Sequence, residues 1–167
     1  DGDSIRLYMV SNPKKLTVKN LSITSVEVSN HPVKDMGKRK INVDGNFYIS
    51  GEDAQSIKEG EQIRLLGLGN ILITKQGEEI EGEYVKDGDI KNIPKIQWVS
   101  QKTAHKIKMI IPKILFIGED FNEDSLEERD VYCEPHYLQL KDGEEIQFVR
   151  FGYCRKDSQN QAIFTHK

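Results

Sequence analysis

Within Glu145–Asp157, EIQFVRFGYCRKD, stand three aromatic rings, a glutamine and three cations. Aromatic faces stack on bases, and amide or guanidinium forks bond to base edges. Gln147, Phe148, Arg150, Phe151, Tyr153 and Arg155 therefore hold, within nine residues, the parts needed to read unpaired nucleotides. The same composition also suits an ordinary half-buried strand. Geometry adds a constraint, because in a regular strand Gln147 and Arg150 point to opposite faces. Either Gly152 marks a bulge or bend that re-aims Arg150, or one of the two side chains does not touch RNA.

Other chemistries have weaker signals. Cys133-Glu-Pro-His136 has a C-x2-H spacing, but zinc wants about four converging ligands and no second paired element exists. Cys154 reads as a small core residue, and His31, His105, His136 and His166 read as surface or turn groups. Gly67-Leu-Gly69 lies between strands, without the following helix whose amino terminus would hold a phosphate. No acid stands in a motif that would raise its pKa or pair it with a base. No residue is therefore expected to be catalytic, and none to bind a metal.

The 167 residues, 37% hydrophobic and 31% charged, suit one large or two small globular domains with a sizeable core. Two cysteines agree with a reducing compartment, and apolar runs such as Met109–Pro112 fall far short of the roughly 20 residues a membrane helix needs. A cytoplasmic protein with no membrane partner is expected. The chain begins at Asp1, without methionine, and is expected to be part of something longer. The net charge of −3 argues against nucleic acid at first sight. Residues 119–134 alone hold eight of the 27 acids and one of the 24 bases, so the remainder is mildly basic.

Short strands are expected throughout, at Ile5–Val10, Leu21–Val28, Arg39–Val43, Asn46–Ser50, Gln62–Leu66, Asn70–Thr74, Glu81–Tyr84, Ile96–Val99, Lys106–Ile111, Ile114–Phe116, Leu138–Leu140, Glu145–Arg150 and Gln161–Thr165. Turn chemistry such as Asp44-Gly45, Asp87-Gly88 and Asp142-Gly143 separates them. Only Glu52–Glu59 and Ser125–Asp130 could form helical turns. Two closed β-barrels would hide most strand edges, and a single sandwich is the alternative. The polar stretch VKDGDIKNIPK at 85–95 divides the chain into expected domains 1–95 and 96–167. KEGEQIRL at 58–65 and KDGEEIQF at 141–148 are similar enough to mark corresponding strands in two related barrels.

Three segments, NHPVKDMGKRKINVDGNFYISGED at 30–53, KIQWV at 95–99 and EIQFVRFGYCRKDS at 145–158, together resemble the carboxy-terminal, anticodon-binding region of class I glutamyl- and glutaminyl-tRNA synthetases. FTHK at 164–167 is similar to the ending of archaeal-type glutamyl enzymes. The segments occur in family order and span the chain. The resemblance implies an anticodon-binding unit of two β-barrels, of the type found in a ribosomal 5S RNA-binding protein, with amino-terminal elements exchanged between them. It also implies a glutamate–tRNA ligase whose catalytic half, with its ATP and Mg2+ sites, lies outside this chain. The expected partners are tRNA(Glu), with tRNA(Gln) as the alternative, and the catalytic domain of the same polypeptide. A glutaminyl enzyme's domain and a free-standing ribosomal RNA-binding barrel protein are the competing readings.

Residue by residue, the resemblance marks four RNA-contact candidates. Arg6 stands seven residues before Pro13, as in the family segment whose arginine contacts the third anticodon base. Gln147 and Arg150 match the family's Gln-Phe-Glu-Arg pair, with Val149 replacing the acid. Arg39 ends the Gly-x-Arg turn, where a contact and a structural role are both open. Trp98 is expected to pack rather than to stack a base. Glutaminyl enzymes carry a long basic insertion where this chain passes from Gln55 to Glu61 in a few residues, which favours the glutamyl branch.

Overall fold

The computed structural model describes residues 2–112, 116–117, 120–121 and 126–167. The strands in chain order are β1 (Ile5–Leu7), β2 (Met9–Ser11), β3 (Lys14–Lys19), β4 (Ser25–Ser29), β5 (Lys38–Asn42), β6 (Asn46–Ile49), β7 (Gln62–Leu65), β8 (Gly69–Lys75), β9 (Ile80–Val85), β10 (Lys95–Ile96), β11 (Val99–Ser100), β12 (His105–Pro112), β13 (Phe116–Ile117), β14 (Asp120–Phe121), β15 (Leu126–Cys133), β16 (Glu145–Phe148), β17 (Gly152–Ser158) and β18 (Gln161–His166). One short helix, α1 (Gly51–Ser56), and a 3-10 turn at Pro135–Gln139 complete the described elements. The fold is all-β, as its turn spacing predicts.

Two seven-stranded sheets carry it, in the orders β10-β7-β8-β9-β3-β6-β11 and β1-β16-β17-β18-β12-β15-β2. One is nearly closed and barrel-like, and the other is a half-barrel. In each, the two edge strands are consecutive pieces of one segment. Residues 95–100 pair with β7 at one end and β6 at the other, and residues 5–11 pair with β16 and β15. A single stretch thus acts as a clasp across both edges, which removes the unpaired edges that invite aggregation. The exchange between barrels is visible here: the amino-terminal clasp belongs to the sheet built from 105–166. The loop 86–94 links two strands of one sheet, and the chain crosses to the other sheet at 101–104.

The amino-terminal clasp is buried on both faces, which explains its near-continuous apolar run. Ile5, Leu7 and Met9 pack in the core with Met109, Phe148 and Cys154, whereas Tyr8 and Val10 pack in the other core with Phe47, Trp98 and Ile71. Within Ile5–Val10 only Arg6 is not buried. Trp98 is fully buried, donates through Nε1 to the Leu66 carbonyl at 2.8 Å, and meets Phe47 edge-on at 5.2 Å. Between the barrels Tyr48 stacks on Tyr132 at 4.8 Å.

The structure corrects several expectations. Leu126–Asp130 is strand, not helical turn, and Ser125 lies outside the described residues. Acidic Glu128 and Asp130 reach diagonally across the ladder to Lys108 and Lys106, at 3.4 and 3.8 Å. Residues 138–139 belong to the 3-10 turn, for which Pro135 presets the first position. The expected strand Ile5–Val10 splits at Tyr8, and Ile96–Val99 splits at Gln97 and Trp98. Of the expected strand at 114–116, residues 114 and 115 lie outside the described residues. So do 119 and 122–125 of the acidic stretch. Strands β3 and β17 were not among the expected elements. Among the described residues, no helix is long and apolar enough to cross a membrane.

Candidate nucleic-acid interface

Parallel pairing of β1 with β16 sets Arg6 beside Gln147, and their neighbours Leu7, Ile146 and Phe148 turn into the core. Strand alternation therefore presents both polar side chains on the outer face. Arg6 Nε donates to Gln147 Oε1 at 3.3 Å. The terminal guanidinium nitrogens of Arg6 and the amide nitrogen of Gln147 have no protein partner among the described residues. What remains is a compound fork of donors that suits the acceptor-bearing edge of a base.

The backbone of Arg6 is tied down separately. Its N–H donates at 2.8 Å to the carbonyl of Asn30, in the loop between β4 and β5. That loop is self-bonded: Asn30 Nδ2 donates to the Met36 carbonyl at 3.1 Å, and His31 Nδ1 accepts from Val33 N and Lys34 N. Gly37, with φ +80, supplies the left-handed turn that returns the chain to β5. A cavity of about 220 Å³ opens between this loop and the clasp, lined by Arg6, Tyr8, Val28, His31, Arg39 and Val149.

Arg39 forms the floor rather than the rim. It is 4% exposed, and its fork meets both carboxylate oxygens of Glu134, with Nη2 to Oε2 at 2.8 Å. Its Nη1 donates to the Ser29 carbonyl at 3.1 Å and to Asn30 Oδ1 at 3.3 Å. Glu134, only 1% exposed, also accepts from Tyr8 N–H at 2.8 Å. Of the two roles open for Arg39, the geometry gives the structural one, since these donors are committed to protein acceptors. Removing either charge would strand the other in the interior. Glu134 is one of the eight acids of residues 119–134, and nothing in the sequence of that stretch marks it as a buried one.

Arg150 faces elsewhere. Strand β16 stops at Phe148, and Arg150 occupies a three-residue turn at φ +61, followed by Gly152 at φ +147. This turn resolves the facing conflict with Gln147 by sending Arg150 toward the other barrel. There its Nη2 meets Asp53 Oδ2 at 2.6 Å, and Nη1 lies 3.4 Å from the Lys95 carbonyl. Asp53 is presented by the first turn of α1, whose N-cap Ser50 accepts from Asp53 N–H. Arg150 lines a separate cleft of about 460 Å³ with Met9, Asn12, Asp53, Gln97 and Arg129. Arg6 and Gln147 thus come together, with Arg39 beneath them and Arg150 apart.

The groups that could have supplied other chemistry are occupied or enclosed. Burial pushes the Cys133 thiol well up and the Cys154 thiol up to about 12, so both stay protonated. Burial also lowers His136 below the usual imidazole range. Among the described residues, no cluster of His, Cys, Asp or Glu side chains could hold a metal ion.

Comparison with known proteins gives the same direction. Family models described as "tRNA synthetases class I (E and Q), anti-codon binding domain" match residues 4–93 and 95–157. The chain is 72% identical over its whole length to a glutamate–tRNA ligase of Nitrosopumilus maritimus and 46% identical over 99% of it to one of Cenarchaeum symbiosum. It is 28% identical over 98% of its length to the glutamate–tRNA ligase of Methanocaldococcus jannaschii. It spans 29%, 29% and 28% of those relatives' own lengths.

Proposed function

Because this chain belongs to the family of anticodon-binding domains of class I glutamate and glutamine tRNA synthetases, we propose that it is the tRNA-reading part of a cytoplasmic glutamate–tRNA ligase. Its partners are tRNA(Glu) and the catalytic domain of the longer protein. Activation of glutamate with ATP and Mg2+ belongs to that other domain, and no step here runs through either.

The Arg6–Gln147 fork carries the reading. Two side chains from strands far apart in sequence share one outer edge and keep donors open, while the backbone of Arg6 is held by a loop braced on a buried ion pair. Such fixed donors discriminate among bases because a wrong edge leaves them unpaired. Arg39 and Glu134 support the fork from below. Arg150 contributes by tying the barrels together through Asp53. The glutamyl branch is favoured over the glutaminyl one by the short passage from Gln55 to Glu61, which lacks the long basic insertion of glutaminyl enzymes.

Replacing Arg6 by Ala in the full-length protein tests this. Charging efficiency should fall by about 1–3 kcal/mol, the value of a bidentate base contact, and the loss should depend on the anticodon base presented. Equal loss against every anticodon would assign Arg6 to the phosphate backbone or to folding, and no loss at all would remove the fork from the interface.

A further inference from the structure

We propose that Tyr153 and His166 form a nucleobase-stacking platform beside the Arg6–Gln147 fork, which receives a nucleotide adjoining the one whose edge the fork holds. This deepens the anticodon-binding reading above and rests on it.

The cross-strand register draws one continuous row over four strands. Arg6 on β1 stands beside Gln147 on β16, Gln147 opposite Tyr153 on β17, and Tyr153 opposite His166 on β18. Donors occupy one end of the row and rings the other. The rings of Tyr153 and His166 are nearly parallel, with centroids 4.6 Å apart and planes 12° apart. His166 is exposed and Tyr153 half-buried.

His166 reaches this row only through an irregularity. Phe164 and His166 are two residues apart and would share a face in a regular strand. Instead β17 and β18 shift register between Tyr153 and Cys154, so that Cys154 pairs with Phe164 and Tyr153 with His166. Phe164 then packs on the core, edge-on to Phe151 at 5.4 Å, while His166 turns outward. The extra residue, Thr165, is not idle. Its hydroxyl donates to the Tyr153 carbonyl at 3.0 Å and lies 3.2 Å from His166 Nδ1, which ties the His166 ring to the β17 backbone beside Tyr153. Bulges of this kind re-aim side chains.

Neighbouring strands lie about 5 Å apart, so the rings stand about 5–10 Å from Gln147, within reach of the next nucleotide on an unstacked single strand. The adjacent row pairs Glu145 with Arg155, so opposite charges face each other there. An aromatic face accepts any base, which assigns the platform affinity and leaves discrimination to the fork.

The test measures binding of the full-length protein to a synthetic anticodon stem-loop, with R6A as the reference variant. Y153L and H166A should each weaken binding about 5- to 100-fold, equally for every base at the adjoining position and with an unchanged melting temperature. Y153F and H166F keep a ring and should bind within about twofold of the unsubstituted protein. If R6A weakens binding while Y153L and H166A do not, the platform is overturned and the fork stands. The platform also fails if the phenylalanine variants lose as much as the ring-less ones, or if the ring-less ones lose binding only by unfolding. If R6A too is without effect, the anticodon reading itself falls, and the platform with it.

Discussion

Hairpins β7–β8 and β16–β17 run on one hydrogen-bond plan in two different barrels. Gly60 N–H donates to the Ile73 carbonyl at 2.8 Å and Gly143 N–H to the Lys156 carbonyl at 2.6 Å; Ile73 and Lys156 return bonds to Glu61 and Glu144. Leu68 N–H closes its turn on Leu65, as Phe151 N–H does on Phe148. Each hairpin then takes its clasp in the same way, through Leu66 N–H to the Ile96 carbonyl and Val149 N–H to the Leu7 carbonyl. The side chains diverge outside this shared frame. Arg64, the counterpart of Gln147, bonds Asn70 at 3.0 Å, and Asn70 is 1% exposed beneath the Asp89 carbonyl of the loop 86–94. On the other barrel the corresponding row is uncovered. Backbone spacing makes the barrel, and covering or exposing one outer row differentiates its use.

The clasps differ as well, which yields the largest predicted effect. Glu134 and Arg39 hold the amino-terminal clasp with buried charge, whereas Gln97 holds the junction through neutral bonds, accepting from Met9 N–H at 3.3 Å and donating to the Val149 carbonyl at 3.0 Å. Arg39→Ala should lower unfolding free energy in a urea titration by about 3–5 kcal/mol, since Glu134 would be left buried without its partner. A loss under about 1 kcal/mol would mean that water reaches Glu134. Gln97→Ala should cost less, about 1–3 kcal/mol by the same measurement, because two neutral backbone groups lose their partners. Equal costs for the two would erase the distinction between a charged and a neutral fastening.

The turns give the smallest pair. Gly67 at φ +72 and Arg150 at φ +61 occupy equivalent left-handed positions. Gly67→Ala should destabilise by about 1–2 kcal/mol, the cost of a side chain in that conformation. Arg150→Gly should change stability by no more than about 1 kcal/mol, since strain relief offsets an exposed ion pair and the freedom that glycine gains when unfolded. Thermal melts of the two variants side by side decide it. If Arg150→Gly loses more than Gly67→Ala, the Asp53 contact outweighs the backbone cost and the turns are not equivalent.

Much of this was legible beforehand because strand edges, turn glycines and inward apolar residues obey short periods. The likeness of KEGEQIRL to KDGEEIQF did mark corresponding strands. What escaped was wherever charge faces inward. Strand β17 turns Lys156 into the core, where its ammonium binds the carbonyls of Tyr137 and Leu140 at 3.2 and 2.7 Å, so the apolar alternation breaks. Strand β15 buries only Val131 and Cys133 at its end, and its charged remainder imitates a helical turn. In the site, Arg6 and Gln147 could be named from the family likeness but not paired, because their adjacency depends on parallel pairing across 141 positions. The outward turn of His166 depends on a register shift that no periodicity announces.

The clasp at residues 5–11 also imposes an order on biosynthesis. Its two strands are made well before their partners, residues 131–133 and 146–148. More than a hundred residues must be made before this apolar ribbon can be zipped in, and by then every strand of the neighbouring sheet has emerged. Closing so long a loop is a late, entropically slow event. The nascent chain must therefore shelter a sticky strand until residues 131–148 have emerged, and the outward row that begins at Arg6 comes into existence only with that stitch.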